Sequence, residues 1–317
     1  MTSPALTVVL PTDTADSIRT VLECLRRQPD ARRIEVVLVT PNPARVQKGL
    51  VDPGDFAVIR VVEVPSLSPL GPARAAGIRA ATAPLVFLGE THSYPQAGWL
   101  KCLLETFATG DWDAVACGMT NANPGSLTSW AGFLADYGRW IPTLPAGPID
   151  EAPLYNAVYR REVLLALDPG LDGLLSHGDG LRIALQSNGC RAGLAPGMRL
   201  AHLNVDRPLA ALRERLLAGI LIGSQRAGRW PLWRRFLYAA AFPLIALVLC
   251  RRILPGYRSA CRAGGVPLGT FPLILGLQST RAFGEFLGYL GWGRTRHQTE
   301  MDDFEIRKLA HCVQSPA

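Results

Sequence analysis

"GPARAAGIRAATAPLVFLGETHSYPQAGWLKCLLETF", residues 71–107, holds three elements in a row. Residues 71–81 predict a helix, "PLVFL" (84–88) a strand, and 97–108 a second helix. The strand has no polar face, as expected of one buried on both sides. Beyond it stand Glu90, Thr91 and His92, then Pro95 and the pair Gly98-Trp99. A carboxylate and an imidazole two residues apart at a strand's carboxyl end mark either a metal site or an ordinary strand end. If the strand continues through them, residues i and i+2 point the same way and both side chains face one ion.

The same alternation extends in both directions. "LTVVL" (6–10), "IEVVLV" (34–39), a run within "FAVIRVVEV" (56–64) and "DAVACG" (113–118) read as strands. Residues 15–28 read as an amphipathic helix with Ile18, Val21, Leu22 and Leu25 at helical spacing. Continuous apolar strands separated by helices predict an α/β fold with a doubly wound, mostly parallel sheet. Such sheets bind ligands outside the carboxyl ends of their strands, where Glu90 and His92 stand. From 125 to 150 we expect a helix bearing Trp130, Phe133 and Tyr137, then a mobile loop. These aromatics and Trp140 form either a packed helix face or a platform for a sugar. Residues 154–167 read as a strand turning into a helix. Residues 179–188 read as a helix closed by Gly189, and "CRAGLAP" and "MRLAHLN" as two short strands.

From 206 to 317 the chain reads as a helical, apolar and basic region. Asp206 to Arg262 holds eleven arginines against two acids. "FLYAAAFPLIALVLC" (236–250) lies between two arginine pairs, and "VPLGTFPLILGLQ" (266–278) is broken by two prolines. A bilayer crossing takes about 20 apolar residues, and both runs are shorter. Pro243 favours a kink. Lying in the headgroup layer, crossing it and packing inside the protein all remain open for these segments. Arginine beside apolar surface points to an anionic membrane rather than nucleic acid, whose single-strand binders place stacking aromatics among their cations. The whole chain is 48% hydrophobic and 19% charged, with a net charge of +7. Its seven cysteines are scattered without a CxxC pair, which excludes a legible zinc knuckle and suits a reducing compartment. "MTSPALTVVLPT" has no basic n-region, so we expect no signal peptide there.

No glycine separates the first strand from Gly49, so the dinucleotide fingerprint is absent, and so is a Walker sequence. A divalent ion bridging a diphosphate needs few protein ligands. An imidazole beside a carboxylate shifts the preference from Mg²⁺ toward Mn²⁺.

Four stretches carry a family resemblance. "TVVLPTDTADSIRTVLECLRRQ" resembles the opening of family 2 glycosyltransferases, which have the nucleotide-sugar-binding GT-A fold. Residues 71–107 resemble that family's alanine–arginine pair, helix, strand, acidic metal motif, proline and Gly-Trp. "YNAVYRREVLLAL" is similar to the segment after its acceptor loop. "GDGLRIALQSNGCRAGLAPGMRLAHLN" looks like its E-D helix, its glycine and the strand ending in histidine. The resemblance covers about residues 5–205 and implies a GT-A-like catalytic domain over 1–205.

What it implies is specific. Glu90 and His92 take the outer places of the usual D-x-D, as in an E-D-H variant, and hold Mn²⁺ or Mg²⁺ on the donor diphosphate. His202 reaches the metal or the diphosphate. Arg74 serves the donor phosphates or ribose, and Pro11, Thr12, Asp13 and Thr40 lie around the base and ribose. Asp179, the second residue of the E-D pair, is the general base, with His177 as another candidate. Apart from the resemblance, the apolar C-terminal region suggests an acceptor, lipid-linked or a polysaccharide, presented on the cytoplasmic face of the membrane, with a water-soluble acceptor left open. Three positions depart from the family. Thr40-Pro41-Asn42-Pro43 replaces Asp-Asp-Gly-Ser, Gly178 replaces the first acid of the pair, and Thr91 sits inside the metal motif. The lost acids leave a competing reading, a degenerate transferase fold that only binds a sugar nucleotide or a partner. From the residues alone, Asp179 is also a favourable helix N-terminal residue, His202 a core histidine and Arg74 a surface helix arginine.

Overall fold

The computed structural model describes residues 3–50, 54–176, 179–292 and 294–313. Nine strands form one sheet: β1 (Leu6–Pro11), β2 (Ile34–Thr40), β3 (Val58–Glu63), β4 (Leu85–Leu88), β5 (Ser93–Pro95), β6 (Ala114–Asn121), β7 (Gly147–Ile149), β8 (Ala157–Arg160) and β9 (Ala192–His202). Their order is β3-β2-β1-β4-β8-β6-β9-β5, with β7 also on β9. The first four run parallel, and β8 runs antiparallel to both neighbours. Every residue of β1, β2 and β4 is buried, the largely apolar runs carrying Thr7, Glu35 and Thr40 inside with them.

The helices are α1 (Ala15–Arg26), α2 (Pro43–Gly49), α3 (Leu70–Ala80), α4 (Trp99–Thr109), α5 (Leu127–Tyr137), α6 (Arg161–Leu165), α7 (Leu171–Leu174), α8 (Gly180–Ser187), α9 (Pro208–Ala227), α10 (Leu232–Ala240), α11 (Phe242–Ala263), α12 (Thr270–Tyr289) and α13 (Arg294–Ile306). By compactness the chain divides into two units, one of residues 1–120 and 145–201, the other of 121–144 and 202–317.

In the first unit α1 buries Ile18, Val21, Leu22 and Leu25, the stripe expected from its spacing. Helix α3 lies against β1 and β2 at Gly77, where a Cβ would stand 2.4 Å from Val9 Cγ1. A single acid pins the parallel strands together. Glu35, fully buried on β2, accepts from Thr7 Oγ1 at 2.5 Å, the Thr82 amide at 2.7 Å and Arg60 Nε at 2.8 Å. Burial pushes its carboxyl up, but these donors outweigh burial and hold it below the usual range.

Three sequence expectations change. The expected pair of strands over 190–204 is one strand, β9, running through Pro196-Gly197. Pro196 lies between the segment that pairs with β7 (192–194) and Arg199, whose carbonyl accepts from Gln96 just after β5. A proline placed between two partners on that side interrupts neither pairing. The expected mobile loop after α5 contains buried Trp140 and Ile141 and ends in β7. The third change concerns Glu90 and His92.

The second unit is helical. Helices α9 and α12 form its centre, α10 and α11 pack on α12, and α13 packs on α9. Trp130, Phe133 and Tyr137 contact one another in sequence along α5 and Tyr137 meets Trp140 just beyond it, a packed face rather than a row of exposed rings. Arg215, 3% exposed on α9, forms a bidentate pair with Asp136. Burial works against the Asp136 carboxylate, yet Arg215 prevails and keeps it below the ordinary carboxylate range. Among the described residues no single helix is long and apolar enough to cross a membrane. Helices α10 and α11 pass that test only as a pair bent by 71°.

Candidate metal and donor site

β4 ends at Leu88, and Gly89 extends its ladder by one bond to the Val9 carbonyl at 3.1 Å. The chain then turns. Thr91 and His92 form a turn in which the Ser93 amide bonds back to the Glu90 carbonyl at 3.4 Å. The alternation of an extended strand therefore does not bring the two side chains together. The turn does, setting Glu90 Oε2 3.6 Å from His92 Nε2. Both are buried, at 7% and 1% exposure.

Glu90 is held by a residue that the sequence did not single out. Asn156 Nδ2 donates to Glu90 Oε2 at 2.6 Å, and Ser93 Oγ donates to the same oxygen at 3.3 Å. Asn156 is fully buried, with φ of 60°, and its amide donates to the Leu88 carbonyl at 2.8 Å. Asparagine is among the few residues that tolerate this left-handed conformation. Its signal in the sequence was only an Asn before the short run Ala157-Val158-Tyr159, and its partner lies 66 positions away.

The residue before it connects to Arg74. The Arg74 guanidinium lies 4.0 Å over the Tyr155 ring and donates to the Leu175 carbonyl at 3.1 Å. Arg74 is 4% exposed, so it is not a surface helix arginine, and it has no ion-pair partner among the described residues. Tyr155 also donates to the Ser176 carbonyl at 3.4 Å. Residues 155–156 thus join Glu90 to Arg74 and to the segment that leads to Asp179. Asp179 stands at the N-cap position of α8 without a side-chain cap bond, its Oδ2 3.8 Å from Arg182, which also pairs with Glu151 at 3.1 Å. His177 and Gly178 lie outside the described residues.

Thr12 is fully buried and belongs to the N-terminal cap of α1. Its hydroxyl meets the Thr14 carbonyl at 2.7 Å and Ser17 Oγ at 2.8 Å. Pro11 ends β1, with Asp13 two residues on. Thr40 ends β2, where its hydroxyl accepts from the Asn42 amide at 3.2 Å.

His202 is the last residue of β9 and is 1% exposed. One ligand atom each from Glu90, His92 and His202 lie within 4.8 Å of one another. The state of His202 follows from its neighbours. Asn204 Nδ2 donates to two acceptors, the His202 carbonyl and Asn121 Oδ1, each at 2.9 Å. Asn121 Oδ1 is itself fixed by the Asn123 amide at 3.0 Å and Ser129 Oγ at 3.0 Å. The Asn204 amide therefore has one orientation, and its Oδ1 faces His202 Nδ1 at 2.7 Å. An oxygen there requires the proton on Nδ1, which leaves the lone pair of the neutral ring on Nε2. Asn204→Leu removes that acceptor. We expect it to lose the Nδ1-H preference in the ¹⁵N spectrum of His202 and to cost about 1–3 kcal/mol of stability. An unchanged tautomer would refute the assignment.

A carboxylate beside two imidazoles is a donor set for a divalent first-row metal. Adjacent donors of such an ion stand about 3 Å apart, which small side-chain movements reach from the observed spacing.

No family model matches the chain, and no curated protein matches it. Solved structures do. A mannosyltransferase, PcManGT from Pyrobaculum calidifontis in complex with GDP-Man and Mn²⁺, is 19% identical with a TM-score of 0.50, covering 97% of this chain and 88% of that one. S. aureus TarS 1–349 in complex with UDP is 15% identical with a TM-score of 0.42, over 66% of this chain. GalNAc-T7 with UDP, GalNAc and Mn²⁺ is 11% identical with a TM-score of 0.48. The chain spans 63% of that TarS fragment and 39% of a second, longer TarS structure. The mannosyltransferase likeness shows the fold, and it is the GT-A type that the sequence resembles.

Proposed function

We propose that the chain is a glycosyltransferase that moves a sugar from a nucleotide-diphosphate donor to an acceptor hydroxyl, with inversion at the anomeric carbon. The buried Glu90–His92–His202 group at the rim of a GT-A sheet carries this reading. Those three residues would hold Mn²⁺, or Mg²⁺, whose chemistry is to neutralise the donor diphosphate. Two imidazoles favour Mn²⁺ of the pair. The solved mannosyltransferase of this fold contains GDP-Man and Mn²⁺.

The chain's own residues supply the rest. Asp179 accepts the proton of the acceptor hydroxyl as that oxygen attacks the anomeric carbon. The bond from that carbon to the diphosphate breaks, and the diphosphate leaves with the electron pair. Arg74 presents a buried positive charge that makes no ion pair among the described residues, suited to a phosphate oxygen. Pro11, Thr12, Asp13 and Thr40, at the carboxyl ends of β1 and β2, border the nucleoside. Asn204 keeps the His202 lone pair on Nε2. Its replacement by leucine is therefore expected to weaken Mn²⁺ binding by about 10–100-fold, measured by electron paramagnetic resonance. The acceptor is lipid-linked or a polysaccharide, met at the cytoplasmic face of a membrane.

A thermal-shift panel of nucleoside diphosphates, with and without Mn²⁺, tests the reading. We expect stabilisation that requires both components, worth about 2.7 kcal/mol at a hundredfold excess over Kd. No shift with any nucleotide overturns the donor assignment. A shift without transfer from any donor of that nucleotide would favour the binding-module alternative that the missing acids support.

A further inference from the structure

Helix α11 carries one outward stripe that changes character along its length. Leu244, Leu247 and Val248 open it at 63%, 57% and 49% exposure, and exposed Arg251, Arg252, Arg258 and Arg262 continue it. With exposed Pro255 between Arg252 and Arg258, these positions recur at three- and four-residue steps, so they share one face. The opposite face is buried through Ala246, Leu249, Ile253, Gly256 and Ala260. At Ala241 the chain bends by 71° into α10, whose outward residues are Leu232, Trp233, Phe236 and Leu237, each more than half exposed. The bend is thus an elbow with large apolar side chains on both arms and arginines about 10 Å further along one of them.

Charge identifies what covers it. From Arg215 to Gly284 the chain has ten arginines and no Asp, Glu or Lys; Arg215, Arg226 and Arg281 pair with Asp136 or Glu285, which leaves seven. A protein partner of ordinary surface would meet this many cations only with a matching acidic face. An anionic bilayer supplies phosphates in a layer immediately above its hydrocarbon, in the same order as the stripe. We propose that the α10–α11 elbow inserts into one leaflet of an anionic membrane, with Phe236, Leu237, Leu244 and Leu247 in the acyl boundary. Arg251, Arg252, Arg258 and Arg262 lie among the headgroups. The chain enters without crossing, because α11 packs against α12 and α5 along its inner face and turns basic halfway. This inference stands apart from the sugar-transfer reading, since vesicle binding needs neither donor nor metal.

The test adds the purified full chain to preformed vesicles of phosphatidylcholine alone, or with a quarter phosphatidylglycerol, followed by sedimentation. We expect binding at least about tenfold tighter on the anionic vesicles, weakened by salt. The variants Phe236→Glu/Leu244→Glu and Arg251→Glu/Arg252→Glu alter exposed side chains and should keep the wild-type melting curve. Each should lose about tenfold or more in binding. Bromine-labelled acyl chains should quench wild-type fluorescence more than that of Trp233→Phe. Absence of sedimentation with either vesicle overturns the proposal, as does binding that both double variants retain. A wild-type dimer that Phe236→Glu/Leu244→Glu dissociates, with no vesicle binding, assigns the face to a second copy and also overturns it.

Discussion

Glu90→Ala is expected to lower kcat/KM for sugar transfer about a thousandfold, which corresponds to about 4 kcal/mol of lost transition-state stabilisation. The alanine also removes the bond from the buried Asn156 amide to Glu90, a cost of about 1–3 kcal/mol in folding. Lost activity alone would therefore not distinguish a ligand from a structural acid. Glu90→Gln makes that distinction. It keeps the volume and an oxygen for Asn156 and Ser93, and removes only the negative charge. We expect it to melt within about 1 kcal/mol of the wild type, to lose most Mn²⁺ affinity, and to transfer as poorly as the alanine variant. A folded Glu90→Gln enzyme with wild-type turnover would remove the acid from the metal site, and the proposed mechanism with it.

The route to Glu90 shows what the sequence can and cannot convey. The parallel strands and α1 were legible because their burial is local information: largely apolar runs in β1, β2 and β4, and a helical stripe at Ile18, Val21, Leu22 and Leu25. The three-residue strands β5 and β7 are too short for any period to register. In β9 the Pro196-Gly197 pair imitated a break, because its harmlessness depends on where the neighbouring strands stop. Glu90 and His92 were recognisable as a pair, but the alternation argument for their meeting was wrong, since a turn performs that task. Asn156 and Asn204 could not be found by pattern. One reaches Glu90 across 66 positions, and the network around the other returns across 83 positions to Asn121. Supporting residues of this kind are fixed by the fold, and their chemistry becomes visible only once the distant partner is in place.

Gly219 and Gly223 on α9, and Gly284 and Gly288 on α12, are each spaced by four residues. A Cβ at Gly219 would stand 2.1 Å from the Arg281 carbonyl oxygen, at Gly223 2.3 Å from that of Glu285, at Gly284 2.4 Å from that of Leu216, and at Gly288 2.5 Å from that of Ile220. The two helices therefore touch backbone to backbone, as small residues at this spacing permit. Backbone cannot rotate out of the way, so any side chain must force the helices apart. That displacement would strain the bonds that Arg226 of α9 makes to α12, to Glu285 at 2.8 Å and to the Tyr289 hydroxyl at 3.1 Å. Alanine substitution separates this crowding from intrinsic helix preference, because the two act in opposite directions. In a helix interior alanine is favoured over glycine by about 1 kcal/mol. Gly276, on the same α12, has nothing within 4 Å of its Cβ position, so Gly276→Ala should be neutral or stabilising by up to that amount. Gly223→Ala should instead destabilise by about 3 kcal/mol, the overpacking cost exceeding the propensity gain. Denaturant midpoints of the two variants give the comparison directly. If Gly223→Ala proves as stable as Gly276→Ala, α9 and α12 do not approach at their backbones, and the centre of the helical unit is packed differently.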